Sequence, residues 1–320
     1  MAHDLIFANA RVKARENNLL TRDKLLRMTE GSLSDAFSIL SESLYDVESG
    51  DVDTVCAKEE KKLLDFIKEL EVDKPFINCL IAEYDYRAVK RAYKMKAERR
   101  DFEFSPTAFS GFVPLDKVKS TVLSDDYDIY MPALKSALHF LDEKSVTKGL
   151  TPTEVETAID KAMFEDFLIK LSGKTGEQYF KERVFLTNLI TLMRVNRLGL
   201  DADFFDLQYV GERNGDYESM ISLVGESAEA ISEKYRVSVH HEVVDRLISG
   251  DVDSAEAYAD DTLIRSLSLH KADMFSELSL AGYFIAKRAE IGNVRLILTC
   301  IKNNVSADEA TKRLRVCYYE

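Results

Sequence analysis

A chain of 320 residues with 46% apolar and 31% charged side chains has the balance of an ordinary folded protein, not of a disordered one. It is long enough for two or three lobes with a substantial buried core. A net charge of −13 argues against a protein devoted to nucleic acid, and no nucleic-acid partner is expected, although a local basic patch remains compatible with that charge.

At the amino terminus Asp4, Arg11, Lys13 and Arg15 stand where a signal peptide would be apolar, so the protein is expected in the cytosol. No apolar run approaches the roughly eighteen residues of a membrane helix; Leu278–Ala286 is among the longest, and no transmembrane segment is expected. Cys56, Cys79, Cys300 and Cys317 are scattered without a CxxC pair and read as reduced thiols.

Ser49-Gly50-Asp51-Val52-Asp53 opens a unit that returns about every hundred residues. It recurs letter for letter as Ser249-Gly250-Asp251-Val252-Asp253, and midway Gly149 holds the same phase in Gly149-Leu150-Thr151-Pro152. Roughly forty residues after each glycine comes a related helical stretch, beginning at Asp85, Phe185 and Glu290. Ala88, Asn188 and Asn293 then share a position, as do Val89, Leu189 and Val294. The period exceeds the roughly 20–50 residues of solenoid repeats. It predicts three similar helical lobes in a pseudo-threefold arrangement, with approximate bounds 1–110, 111–210 and 211–320.

The first of these helical stretches is strongly basic. From Arg87 to Arg100 it carries seven cations and one acid, Glu98. Arg87, Lys90, Arg91 and Lys94 lie three or four apart and line one flank, while Tyr86, Val89 and Tyr93 form a stripe that packs inward. Two readings stand side by side: the solvated flank of an amphipathic helix, or an interaction surface.

The five prolines are Pro75, Pro106, Pro114, Pro132 and Pro152, and the proline-free remainder suits long helices. Pro106 and Pro114 mark the segment from about Arg100 to Tyr130 as an irregular connector, and a second is expected from about Asp201 to Gly225. Thr151-Pro152-Thr153-Glu154 is a capping box with proline at the first helical position. Val155, Ile159, Ala162, Met163, Phe167 and Leu171 follow at helical spacing. Ser306-Ala-Asp-Glu309 opens a last helix, and Gly199 and Gly250 look like left-handed helix ends. Strand signals such as Phe102-Glu-Phe104 and Val237-Ser-Val239 are short and isolated, so the fold reads as all-α.

Several stretches imitate chemical motifs and fall short. Gly173-Lys174-Thr175 copies the end of a phosphate loop, but Leu168 replaces the earlier glycine and the preceding run is helical. His241-Glu242-Val-Val-Asp245 has aspartate where the HExxH zinc helix needs its second imidazole, and neighbouring His240 points elsewhere on a helix. His3, His139 and His270 have no ligand-spaced companions. Asp125-Asp126 and Asp260-Asp261 suggest a DDxxD magnesium helix, yet Ile129 and Ile264 occupy its third position. No catalytic, cofactor-binding or metal-ligating residue is assigned, and no cofactor is expected.

Ala8-Asn-Ala-Arg-Val-Lys-Ala-Arg15 with Leu19-Leu-Thr-Arg-Asp23 resembles the opening of the C subunits of bacterial and archaeal A/V-type rotary ATPases, counterparts of the eukaryotic d subunit. Asp85-Tyr-Arg-Ala-Val-Lys-Arg-Ala-Tyr-Lys-Met-Lys96 is similar to that family's basic helix, DYHNLK followed by LLKAK, and Phe185–Arg197 and Glu290–Lys302 fit its later counterparts. Ala88 stands where the pattern has asparagine, and Phe185 where it has an acid. The resemblance covers nearly the whole chain. It implies a three-lobed helical funnel without catalytic activity, peripheral on the cytoplasmic face of a membrane. Such a funnel couples the central-stalk subunits to the membrane rotor ring, for ion transport that is driven by ATP turnover or drives it. Arg87, Lys90, Arg91 and Lys94 are the interface candidates, and reversing Lys90 and Lys94 is expected to impair docking to the ring while sparing the fold. The alternative is an all-α enzyme that binds an anionic substrate at the basic helix 87–100.

Overall fold

The computed structural model describes residues 2–98, 102–147, 149–250 and 252–318, with the side chains of all but 2–4, 252 and 253. Arg99 and Arg100 of the basic run, Asp251 of the second pentapeptide, and the side chain of His3 lie outside the described residues. The chain is 71% helical, with sixteen helices and no strand among the described residues, as the all-α reading expects.

In chain order these are α1 (Ala2–Glu16), α2 (Arg22–Glu30), α3 (Leu33–Glu42), α4 (Val52–Glu69) and α5 (Pro75–Ala97). Then follow α6 (Leu115–Ser124), α7 (Pro132–Thr147), α8 (Pro152–Leu171), α9 (Glu177–Leu198), α10 (Ala202–Gln208) and α11 (Gly215–Ile221). The last are α12 (Ala228–Tyr235), α13 (His241–Ile248), α14 (Val252–Ser268), α15 (Glu277–Lys302) and α16 (Ala307–Lys312). They divide into two compact units, residues 1–77 with 249–320, and residues 78–248, so that the division falls within α5.

Local chemistry sets the helix starts. Pro75, Pro132 and Pro152 are first residues of their helices and Pro114 caps α6, positions where a fixed φ helps and a missing N–H costs nothing. The Thr151 capping box is complete: its hydroxyl accepts from Glu154 N at 3.2 Å, and Glu154 accepts from Thr151 N at 2.8 Å. Both expected connectors prove partly helical. α6 lies in the first, because Pro114 starts a helix there instead of breaking one. α10 and α11 lie in the second, capped by Asp201 on Phe204 N and by Asn214 on Asp216 N. α4, α8 and α14 begin at residues 52, 152 and 252, and α5, α9 and α15 at residues 75, 177 and 277. Gly50, Gly149 and Gly250 precede the first set in left-handed conformations, at φ of 62°, 73° and 86°, which glycine adopts without a Cβ clash.

In the first unit α15 is buried on nearly all sides and packs on α1, α2, α3, α4, α14 and α16. Within that apolar surround sits a charged cluster. Lys287 reaches Glu290 at 2.6 Å and Glu59 of α4 at 3.0 Å, with its ammonium over the Tyr45 ring. Glu290 also accepts from the Tyr45 hydroxyl at 2.8 Å and from Leu20 N at 2.6 Å, which ties the α1–α2 turn to the central helix. Burial works against the Lys287 ammonium, but the charges of Glu290 and Glu59 outweigh it and hold its pKa above the usual lysine value.

In the second unit α9 packs on α8, α10, α11 and α13. α8 also pairs with α7, and α5 runs antiparallel along it, with Tyr86, Lys90 and Lys94 meeting Asp166, Asp160 and Glu156 in turn. Tyr86 stands edge-on to Phe167 at 5.3 Å, and Phe167 stands edge-on to Phe180 of α9 at 5.2 Å. Antiparallel pairing recurs in the first unit, where Glu59 and Asp53 of α4 meet Lys287 and Arg295 of α15.

Replacing Lys287 by methionine strands two buried carboxylates, so stability should fall by about 3–5 kcal/mol in urea titrations. The triple variant Lys287→Met, Glu59→Gln, Glu290→Gln should regain most of that loss. A single variant as stable as the parent would refute the account of the cluster.

Candidate functional site

The basic flank of α5 divides into two kinds of cation. Lys90 and Lys94 are half-buried and bond to Asp160 and Glu156 of α8. Lys96 bonds to Asp125, Asp142 and the Tyr127 hydroxyl. Arg87 and Arg91 are exposed, Arg87 with its guanidinium 5.0 Å from the Tyr84 ring centre. The structure thus brings Lys90 and Lys94 to α8 and Lys96 to α7 and the end of α6, and places Arg87 and Arg91 at the surface. The ammonium groups of Lys90, Lys94 and Lys96 are already matched by carboxylates. The expectation that Lys90 and Lys94 could be reversed without harm to the fold needs correction, because glutamate at either place would face an acid across the helix pair.

The inward stripe is as expected: Tyr86, Val89 and Tyr93 are buried. What the sequence does not disclose is how the stripe's hydroxyls are held. Tyr86 donates to Asp166 at 2.6 Å, and Tyr93 and Tyr127 both donate to Asp142 at 2.7 Å. Burial first, then these carboxylates, push all three phenols well above the usual tyrosine value, so they stay neutral donors. Asp166 also accepts from Ala133 N at 2.9 Å and Leu134 N at 3.0 Å, and so closes the first turn of α7 from another helix. The available signal is its place in the helical pattern, four residues after Ala162 and three after Met163, which sets an acid on the apolar face of α8.

At two of the three matching positions in the helical stretches an asparagine carries the same task. Asn188 donates to Val210 O and accepts from Val210 N, both at 2.8 Å. Asn293 does the same to Arg315, at 3.0 and 2.8 Å, across the same sequence separation of 22 residues. Ala88 cannot, and three residues earlier Asp85 takes over by accepting from Phe112 N and Val113 N at 2.9 and 3.0 Å. That loop lies so close to α5 that a Cβ on Gly111 would stand 2.4 Å from Ile81 O.

The motif lookalikes are accounted for locally. Gly173-Lys174-Thr175 is the turn between α8 and α9, where Gly173 N donates to Glu177 and Lys174 reaches back to Lys170 O. His241 is exposed with Nδ1 on Ser238 O, whereas buried His240 lies on the Phe185 ring with Glu182 at 3.4 Å. Glu242 pairs with Arg246. Asp125 is the left-handed end of α6. Asp260 and Asp261 hold the carboxyl-terminal segment through Arg315 Nε at 3.1 Å and Val316 N at 2.6 Å. Among the described residues no three His, Cys, Asp or Glu groups converge as metal ligands. Burial pushes the Cys56 and Cys79 thiols up to about 11 and about 12, which leaves them poor nucleophiles.

Reversing Lys90 and Lys94 to glutamate should cost about 1–3 kcal/mol, seen as a lowered melting temperature, and adding Asp160→Lys with Glu156→Lys should restore part of it. Asn188→Ala and Asn293→Ala should each cost about 1–3 kcal/mol, because a buried N–H and C=O lose their partner together. Unchanged melting in these variants would show the contacts to be idle.

The sequence pattern of the family described as ATP synthase (C/AC39) subunit matches residues 8–313 of this chain. The C subunit of the V-type sodium ATPase of Enterococcus hirae is 20% identical over 333 residues, which span 97% of this chain and 98% of that protein. Among the described residues no helix is long and apolar enough to cross a membrane. All-α among its described residues and matched almost from end to end, the chain belongs to the C/AC39 family of A/V-type ATPase subunits.

Proposed function

We propose that this protein is the non-catalytic adaptor that couples the central stalk of an A/V-type ATPase to its membrane rotor ring, at the cytoplasmic face. The observation that carries the reading is the family match across residues 8–313, which leaves little of the chain for a separate activity. The helix pairs beginning at residues 52 and 75, 152 and 177, and 252 and 277 support a division into three successive repeats. Close-packed helices deform little, which suits a part that transmits torque. The exposed arginines Arg87 and Arg91 are the cations of α5 best placed to meet acidic or carbonyl groups of the ring, and Lys90 and Lys94 act behind them by holding α5 on α8.

Co-expression of the tagged full chain with central-stalk subunits and the ring tests the reading. The chain should elute with both, and the purified chain alone should turn over no ATP. Arg87→Glu with Arg91→Glu should weaken retention on the ring by about tenfold, more at low salt than at high, with the melting temperature little changed. Elution apart from both partners would overturn the adaptor role. Retention unaffected by the arginine reversals would move the interface elsewhere.

A further inference from the structure

In the second unit α7, α8 and the end of α10 border an open groove of about 490 Å³. Its lining includes Phe140, Ile169 and Leu207, each more than half exposed to water. The lining runs from residue 132 to 144 on α7 and from 154 to 169 on α8. At about 1.5 Å per residue that is roughly 18–22 Å, or three to four turns of a helix laid alongside. Three large apolar side chains along one elongated groove form a patch of the kind that interaction sites expose.

Two charges in the groove lack an ion-pair partner among the described residues: exposed Glu165 and half-buried Lys161, its one unmatched cation. Lys161 is half-buried, and its ammonium donates to the Leu207 carbonyl at the end of α10. No carboxylate forms an ion pair with it among the described residues; Glu165, one turn further along α8, lines the groove but does not reach it. Burial draws this ammonium below the usual lysine value, Arg213 adds to that, and Asp206 opposes it. The neighbouring cations differ: Lys144 pairs with Glu154 at 2.6 Å, Lys135 with Asp128, and Lys90 and Lys94 with acids of α8. A partly desolvated cation favours an incoming acid.

We propose that this groove receives an amphipathic helix of a partner protein, three to four turns long. Its apolar residues at i, i+3 or i+4, and i+7 would cover Phe140, Ile169 and Leu207, and a central carboxylate would meet Lys161. The elongated, open form favours a helix over a compact small molecule, and half-buried Lys161 selects one with an acid opposite it, since exposed Glu165 keeps its contact with water. This inference goes beyond the adaptor role and does not depend on it.

Two labelled helical peptides of about 14 residues, identical in their leucine pattern and differing only in a central glutamate or lysine, test it by fluorescence anisotropy on the full chain. The glutamate peptide should bind about tenfold tighter than the lysine peptide. Lys161→Glu should reverse that order, and Lys161→Gln, the milder change, should bring the two peptides to nearly equal affinity. Ala158→Trp, which fills the groove, should weaken both, with circular dichroism confirming that the variants fold. Failure of both peptides to bind, or an order unchanged in the Lys161 variants, would overturn the proposal. So would a dimer of the full chain in sedimentation that Ala158→Trp dissociates, since the occupant would then be a second copy.

Discussion

A backbone N–H in a connecting segment or in the first turn of a helix has no helical acceptor and must find another, and in this protein buried side chains of the long helices repeatedly supply it. Asp85 takes two such groups, Asp166 takes two, and Asn188, Glu290 and Asn293 take one each. Asn9 meets the opposite need by donating to the carbonyls of Met274 and Ser276. Leaving such a group buried and unpaired costs about 1–3 kcal/mol, so these contacts decide where the connecting segments run. The long helices thus both fill the core and fix the loops that join them.

Charge follows the same logic. The acids outnumber the bases, yet within each unit the interior cations lie where helix pairs need them: Lys287 between α15 and α4, and Lys90 and Lys94 between α5 and α8. Residues that suggest metal chemistry by their spacing turn out to cap helices and hold stretches of irregular chain, as Asp125, Asp260 and Asp261 do. Under the adaptor role proposed above, recognition would fall to the outside, to exposed arginines and apolar side chains.

Much of the helical layout is legible in the sequence, because its signals are local. The Thr151 capping box, the prolines that open α5, α7 and α8, and the left-handed glycines all act within a few residues. α10 and α11 are hard to read because each is only seven residues long and begins in polar sequence, so periodicity has no room to show. The partners of the basic helix are hidden for a different reason. Lys94 and Glu156 stand 62 residues apart, and a helical pattern reports which face is buried without naming what buries it. The asparagine positions are visible as a repeat, but their purpose depends on segments 22 residues downstream with no shared side-chain pattern.

That last feature bears on how such a protein can diverge. Val210 and Arg315 offer only their main-chain groups to the asparagines, so this hold on the path of the chain does not depend on which side chains they carry. Where the asparagine itself is missing, as at Ala88, a nearby acid in the same helix keeps the neighbouring loop in place. An architecture anchored on main-chain atoms asks little of residue identity, and it can persist across relatives that retain only one residue in five.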